Sequence, residues 1–319
     1  MDKKLIAWGD SKILNLYLQD TQENPFSYCI DSYSNNKDIE GLPIVNSDSL
    51  KNENKDSVLI VIFAVSNNAL RNIASILSNM DYRYKENYIF YSDFLWESFS
   101  KKFYNSMGWF PDYNTYLYVL SFTLNSLKPI HTTILGSVVF LECIKKNLDM
   151  PGDIAEVGAF EGGNALCSLN HCYPKMKKHN KYYYIFDSFE GFPELSEHDP
   201  ICRKKGDYCI ETSFKEIENG FNIFSNVNVV KGFVPGSFQI IPEKTVFSVV
   251  FYDCDLYQPA LDTFNYFWNK IESNGFLIIH DYRYEKGGFE GVRKATDEFF
   301  GSATPVISFY ETTMGIIKK

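Results

Sequence analysis

Residues 152–163 read GDIAEVGAFEGG, and no other stretch constrains the fold of this chain as tightly. A short apolar strand passes Glu156, a turn follows from Gly158 to Gly163, and residues 164–172 continue as a helix-like run. A strand that hands over to a helix through glycines brings bare backbone N–H groups up to a ligand, as in doubly wound α/β sheets. The next strand, residues 182–187 (YYYIFD), closes on Asp187. An acid at that point is placed to take the two hydroxyls of a ribose. The glycine turn alone also fits a Rossmann-type sheet that carries another nucleotide, or none.

The rest of the chain repeats the pattern. Strands are expected at 153–157, 182–187, 227–231, 247–253 and 276–281, each followed by a helix or a turn. Residues 305–310 and 314–318 read as a closing hairpin. A helix is expected to start at Pro259, a residue suited to a first helical position, and to bury Leu261, Phe264, Phe267, Trp268 and Ile271. Another spans 291–300. Ahead of this unit, strands at 4–8, 28–31 and 58–63 alternate with helices at 11–18 and 68–80, and 88–94 closes the set. Buried strands alternating with helices imply parallel sheets. The expected organisation is α/β throughout: a Rossmann-like domain over 1–97, a helical connector over 98–150 (with a helix at 132–147), and a larger Rossmann-like domain over 151–319. An insertion, 190–225, holds a capping box, Ser213 with Glu216. Its polar part, 194–211, is expected to be mobile and carries Arg203, Lys204 and Lys205, the densest basic cluster of the chain.

Ligands of such sheets sit at the carboxyl ends of the strands. Glu156, Asp187, Gly232, Asp253 and Asp281 fall at or just past those ends and are expected to share one face. Gly158, Gly162 and Gly163 would let a ligand lie against backbone. Asp253 and Asp281 arrive from adjacent strands, with Asp255 and His280 beside them, and no basic residue accompanies them in sequence. Converging carboxylates need a neutralising cation, and hard oxygen ligands favour Mg²⁺. Such an ion chelates neighbouring hydroxyls and lowers the pKa of the one that reacts. Read plainly, Asp255 caps the next helix and His280 is a packed imidazole. His131 can be read as a base or as a structural histidine, and the 203–205 cluster as a phosphate grip or a solvated loop. In series, these acids point to S-adenosylmethionine rather than to a hydride carrier.

The net charge of −9 argues against nucleic acid or an acidic membrane surface as a partner. Seven cysteines stand singly, without a Cys-x-x-Cys pair, as expected of reduced thiols. No secretory signal opens the chain, and its longest apolar run, 58–65, has the length of a strand. The expectation is a soluble cytoplasmic protein.

Five stretches carry a family likeness: GDIAEVGAFEGG at 152–163, FDSFEGFP at 186–193, KGFVPGSF at 231–238, DCDLY at 253–257 followed by PAL at 259–261, and GFLIIHDY at 275–282. In this order they resemble the macrocin O-methyltransferase family of sugar O-methyltransferases. The resemblance implies a class I methyltransferase fold and metal-assisted transfer of a methyl group from S-adenosylmethionine to a hydroxyl of a sugar, glycoside or nucleotide-linked sugar. It places the cofactor on Glu156, Gly158, Gly162, Asp187, Ser188, Gly232, Ser237 and Asp253. Asp253, Asp255 and His280 would act in catalysis, and Asp253, Asp281 and His280 would hold the divalent cation. Where the family carries two consecutive aspartates, this chain has His280-Asp281, and an imidazole among carboxylates suits Mn²⁺ better than Mg²⁺. The departure keeps open metal-independent methylation of a non-sugar acceptor; a separate alternative is a non-catalytic binding protein for a nucleotide sugar or cofactor, against which the acids at three strand ends argue. Partners would be a small sugar or nucleotide-sugar acceptor, with room for a homo-oligomer. Residues 9–12, 41–45 (GLPIV) and 64–71 (AVSNNALR) resemble the nucleotide-sugar-binding N-terminal domain of bacterial sugar acetyltransferases, as a working site or a degenerate scaffold.

Overall fold

A computed structural model of the chain describes residues 3–21, 23–210, 212–283, 288–301 and 303–319. Two sheets flank a helical layer. The first sheet contains β1 (Lys4–Trp8), β2 (Phe26–Ile30), β3 (Asp38–Ile39), β4 (Leu42–Val45), β5 (Val58–Ile62) and β6 (Tyr88–Phe90), in the order β3-β4-β2-β1-β5-β6. All its pairings are parallel except β3 with β4 at the edge. Helices α1 (Lys12–Asp20) and α2 (Asn67–Asn79) cross over between its strands, capped by Ser11 and Ser66. The β3–β4 pair lies within a stretch the sequence marks with no strand periodicity.

Three helices follow: α3 (Tyr91–Met107), α4 (Tyr113–Asn125) and α5 (Ile134–Lys146). The connector begins earlier than expected. The chain leaves β6 straight into α3, so residue 97 falls inside a helix, because the Asp93 side chain accepts from Phe90 N and closes the first turn. Lys102 on α3 reaches Glu311 (3.1 Å) and Asp20 (3.7 Å), tying the layer to both sheets. One continuous apolar core joins the first sheet, the helical layer and the near face of the second sheet.

The second sheet is built from β7 (Asp153–Val157), β8 (Tyr183–Asp187), β9 (Val227–Lys231), β10 (Phe247–Tyr252), β11 (Ile271–Ile279), β12 (Ile307–Ser308) and β13 (Gly315–Lys318). Its order is β12-β13-β11-β10-β7-β8-β9. The five central strands are parallel, while β13 runs antiparallel to β11 and pairs with β12, the expected hairpin. β10 (FSVVFY) is buried along its whole length, as befits a strand covered on both faces. Helices α6 (Gly163–Lys178), α7 (Phe214–Phe221), α8 (Tyr257–Phe267) and α9 (Glu290–Phe300) complete the unit. α8 starts two residues before Pro259. Its first N–H, Tyr257 N, is taken by Asp199 Oδ1 at 2.8 Å, a cap supplied by the insertion rather than by Asp255.

The insertion does not hang free. Ser196 donates to Asp199, Gly206 N to the Phe192 carbonyl, and a Cβ on Gly191 would lie 2.5 Å from the Asp207 carbonyl. This packing covers the polar segment expected to be mobile; its last residue, Glu211, lies outside the described residues. Among the described residues no helix is long and apolar enough to cross a membrane.

Candidate active site

The chain leaves β7 toward β8 and β9, then returns to the other side of β7 as β10 and β11. The topological switch therefore lies between β7 and β10, where a doubly wound sheet opens a crevice beyond its carboxyl ends. A cleft occupies that place. Gly158, Asp187, Ser188, Gly232, Asp253, Asp255, His280 and Asp281 line it. Lys12, Ile13 and Val65 close it from the first sheet, while Phe192, Tyr208 and Phe289 form an aromatic wall. His131 also reaches the cleft, its ring edge-on to Phe160 at 4.4 Å.

Asp187 is fixed at both oxygens: Phe160 N donates to Oδ2 and Phe189 N to Oδ1, each at 2.7 Å. Phe160 and Phe189 hold left-handed φ values of 51° and 54°, so both loops bend to deliver these amides. Burial raises the Asp187 pKa, the two amides work against it, and the net direction is upward. Ser188 Oγ donates to the Gly191 carbonyl at 2.8 Å and shapes the turn that follows.

Three expected cofactor residues stand back from the cleft lining. Gly162 caps α6, and a Cβ on it would lie 2.7 Å from the Phe221 ring. Ser237 Oγ is buried behind Gly232 without a hydrogen-bond partner among the described residues. Glu156 is 1% exposed within the sheet, where Tyr183 Oη donates to its Oε2 at 2.7 Å. Burial pushes the Glu156 carboxyl up to about 8; Tyr183 opposes this, and Asp253 and Asp187 add to it. The pKa is raised on folding, so the native state holds a proton that the unfolded chain has released, and stability falls as pH rises from about 4.5 to about 8. Glu156→Gln removes that slope, roughly 1.4 kcal/mol per pH unit at most. The expected result is a melting temperature that gains on wild type progressively between pH 5 and pH 8; a constant difference across that range would count against it.

At the ends of β10 and β11 the acids converge. His280 Nδ1 lies 2.6 Å from Asp253 Oδ1, off the hydrogen-bonding direction, and 3.7 Å from Asp281 Oδ2. Asp255 and Asp281 both adopt left-handed φ, 64° and 54°, which turns their side chains toward this point. Burial alone would lower the His280 pKa, but Asp253 and Asp281 outweigh it and lift it to about 9. Burial, Asp281 and Asp253 raise Asp255 well above the carboxylate range. Burial opposes ionisation of Asp281 too, yet His280 and Lys12 hold its pKa below the usual value.

A basic partner comes from the start of α1: Lys12 Nζ meets Asp281 Oδ1 at 2.6 Å. No pattern in the sequence signals this contact between residues 269 apart. It also regroups the expected ligands. One donor atom each from Asp253, Asp255 and His280 lies within 4.8 Å of the others, close enough to share an ion, while Asp281 is taken up by Lys12. Two carboxyls and an imidazole fit a divalent cation of the Mn²⁺ type.

Five parallel strands, an antiparallel seventh strand inserted beside β11, and acids at the β8 and β10 ends define a class I methyltransferase Rossmann-like domain. The family model of Macrocin-O-methyltransferase (TylF) matches residues 139–304, and the chain belongs to that family. It is 24% identical over 142 residues to the demethyldecarbamoylnovobiocin O-methyltransferase of Streptomyces niveus, covering 42% of this chain and 54% of that protein. It is likewise 24% identical over 152 residues to the mycinamicin III 3''-O-methyltransferase of Micromonospora griseorubida, covering 44% of this chain and 59% of that protein. The chain thus spans little more than half the length of these relatives. The calicheamicin methyltransferase CalS11 shares the fold, with a TM-score of 0.52 at 16% identity over 64% of this chain and 91% of that one.

Proposed function

We propose that this protein is an S-adenosylmethionine-dependent O-methyltransferase acting on a hydroxyl of a sugar, glycoside or nucleotide-linked sugar, assisted by a divalent cation. The observation that carries this reading is one cleft with two chemically distinct ends. At one end Asp187 is pinned by amides beside Gly158 and Gly232; at the other stand Asp253, Asp255, His280 and Asp281. The names of the two curated relatives support the acceptor class.

S-adenosylmethionine, when bound, supplies a methyl group on a sulfonium. Asp187 receives its ribose hydroxyls with lone pairs that Phe160 N and Phe189 N leave open. Gly158 and Gly232 admit it against backbone. Asp253, Asp255 and His280 would hold the cation, which supplies a Lewis acid for the acceptor hydroxyl. Asp253, or Asp255 beside it, takes the hydroxyl proton. The acceptor oxygen then attacks the methyl carbon in line, and the sulfur leaves with the bonding pair. Phe192, Tyr208 and Phe289 exclude water on the acceptor side. Positioning supplies much of the rate in such a transfer.

Calorimetric titration of S-adenosylmethionine tests the donor half. Wild type is expected to bind it, and Asp187→Asn to weaken binding by about tenfold, one charge-assisted pair of hydrogen bonds. No binding of S-adenosylmethionine, or tighter binding of NAD than of S-adenosylmethionine, would sink the reading. Labelled S-adenosylmethionine with a panel of nucleotide-linked sugars and glycosides tests the acceptor half.

A further inference from the structure

The first sheet meets the cleft with its own strand ends. β1 stops at Trp8, and Gly9 turns at φ +112°, so close to β5 that a Cβ would lie 3.0 Å from Ala64 N. Ser11 then caps α1 by accepting from Leu14 N, which makes Lys12 the first residue of that helix. The helix dipole disfavours a cation there, and the first turn of α1 holds no acid to offset it. The offset comes from Asp281 at 2.6 Å, with the two side chains 28% and 6% exposed. Enclosing such a pair costs desolvation, so net stability is a poor account of it. What it does provide is placement. Asp281 also faces His280, whose Nδ1 lies 3.7 Å from Asp281 Oδ2, so whatever fixes Asp281 bears on the group beside it.

Resting on the methyl-transfer reading above, we propose that Lys12 is a positioning residue of this site. It pins the Asp281 carboxyl to the start of α1, beside the cation group of Asp253, Asp255 and His280. Lys12, Ile13 and Val65 are then one wall of the acceptor site, and the N-terminal domain works as part of the methyltransferase.

The test uses the full chain as wild type, Lys12→Met, Lys12→Arg and Asp281→Asn. Acetylation of Lys12 by an N-hydroxysuccinimide ester is followed by peptide mass spectrometry. It is expected to run about tenfold faster in Asp281→Asn than in wild type, because the ion pair shields the amine. Mn²⁺ binding is followed by the loss of its free resonance signal. Lys12→Met is expected to tighten it about fivefold by leaving Asp281 without its counter-charge, and Lys12→Arg to restore the wild-type value. S-adenosylmethionine affinity stays near wild type in both lysine variants, while Lys12→Met melts lower than wild type because Asp281 is left buried without its counter-charge, and Lys12→Arg restores the melting temperature. Equal acetylation rates in wild type and Asp281→Asn would overturn the proposal, as would Mn²⁺ binding in wild type that Lys12→Met leaves unchanged. If wild type and Lys12→Met both ignore Mn²⁺, the cation part of the proposed function falls and the acetylation ratio decides Lys12. If wild type does not bind S-adenosylmethionine, the methyl-transfer reading falls, while acetylation and Mn²⁺ still report on the pair.

Discussion

Asp253→Asn is expected to lower methyl transfer by about a thousandfold while S-adenosylmethionine affinity changes by no more than about fivefold. The backbone here is secure. Asp253 N donates to the Val157 carbonyl at 2.7 Å, and β10 is held in register by β7 on one side and β11 on the other. An amide of the same shape therefore leaves the strand end where it is. What it removes is the charge 2.6 Å from His280 Nδ1, a proton acceptor for the hydroxyl and one of three donors for the cation. Initial rates with labelled donor give the first quantity and calorimetry the second. A rate within tenfold of wild type would mean that Asp253 neither takes the proton nor holds the ion.

The strand ends that build this site are legible in the sequence because a parallel sheet buries both faces. Its strands read as unbroken apolar runs, and the first polar residue past each run marks the carboxyl edge. Asp187 and Asp253 are found this way, Asp281 follows one residue after His280, and together with Gly232 they line one cleft. What local pattern cannot supply is the partner across the fold. Lys12 reads as an ordinary surface lysine until the fold brings its amine to Asp281, just past the end of β11. The Asp199 cap on α8 has the same character: the helix lacks its own N-terminal side-chain cap, and a residue 58 positions earlier provides it. The glycines were legible as glycines but not in their purpose. A Cβ on Gly163 would overlap the Pro129 carbonyl, and Gly162 is held against Phe221, so these two serve packing within the protein as much as room for a ligand. Glu156 follows the same logic. Its position at the strand end suggests the ligand, but its place in the strand's alternation turns the side chain inward to Tyr183.

Gly158→Ala is the second large expected effect, and it acts on fold and site together. Gly158 sits at φ +91°, where an L side chain is strained, and its Cβ would overlap the carbonyl of Asp253. That carbonyl belongs to backbone and cannot swing aside as a side chain would. Either the β7 turn lifts or the end of β10 is pushed away, and both routes break the crevice between the two strands. The combined strain is expected to cost about 3 kcal/mol or more, a fall in melting temperature of roughly 4–5 °C or more for a chain of this size. The turn also presents Phe160 N to Asp187 Oδ2, so S-adenosylmethionine affinity is expected to fall by at least about tenfold in the fraction that remains folded. Gly236→Ala serves as the comparison, since a Cβ there meets nothing within 4 Å. Differential scanning calorimetry with titration at a temperature where both variants are folded separates the two effects. Gly158→Ala melting and binding like Gly236→Ala would show that the β7 turn and the β10 end do not meet as closely as the fold requires.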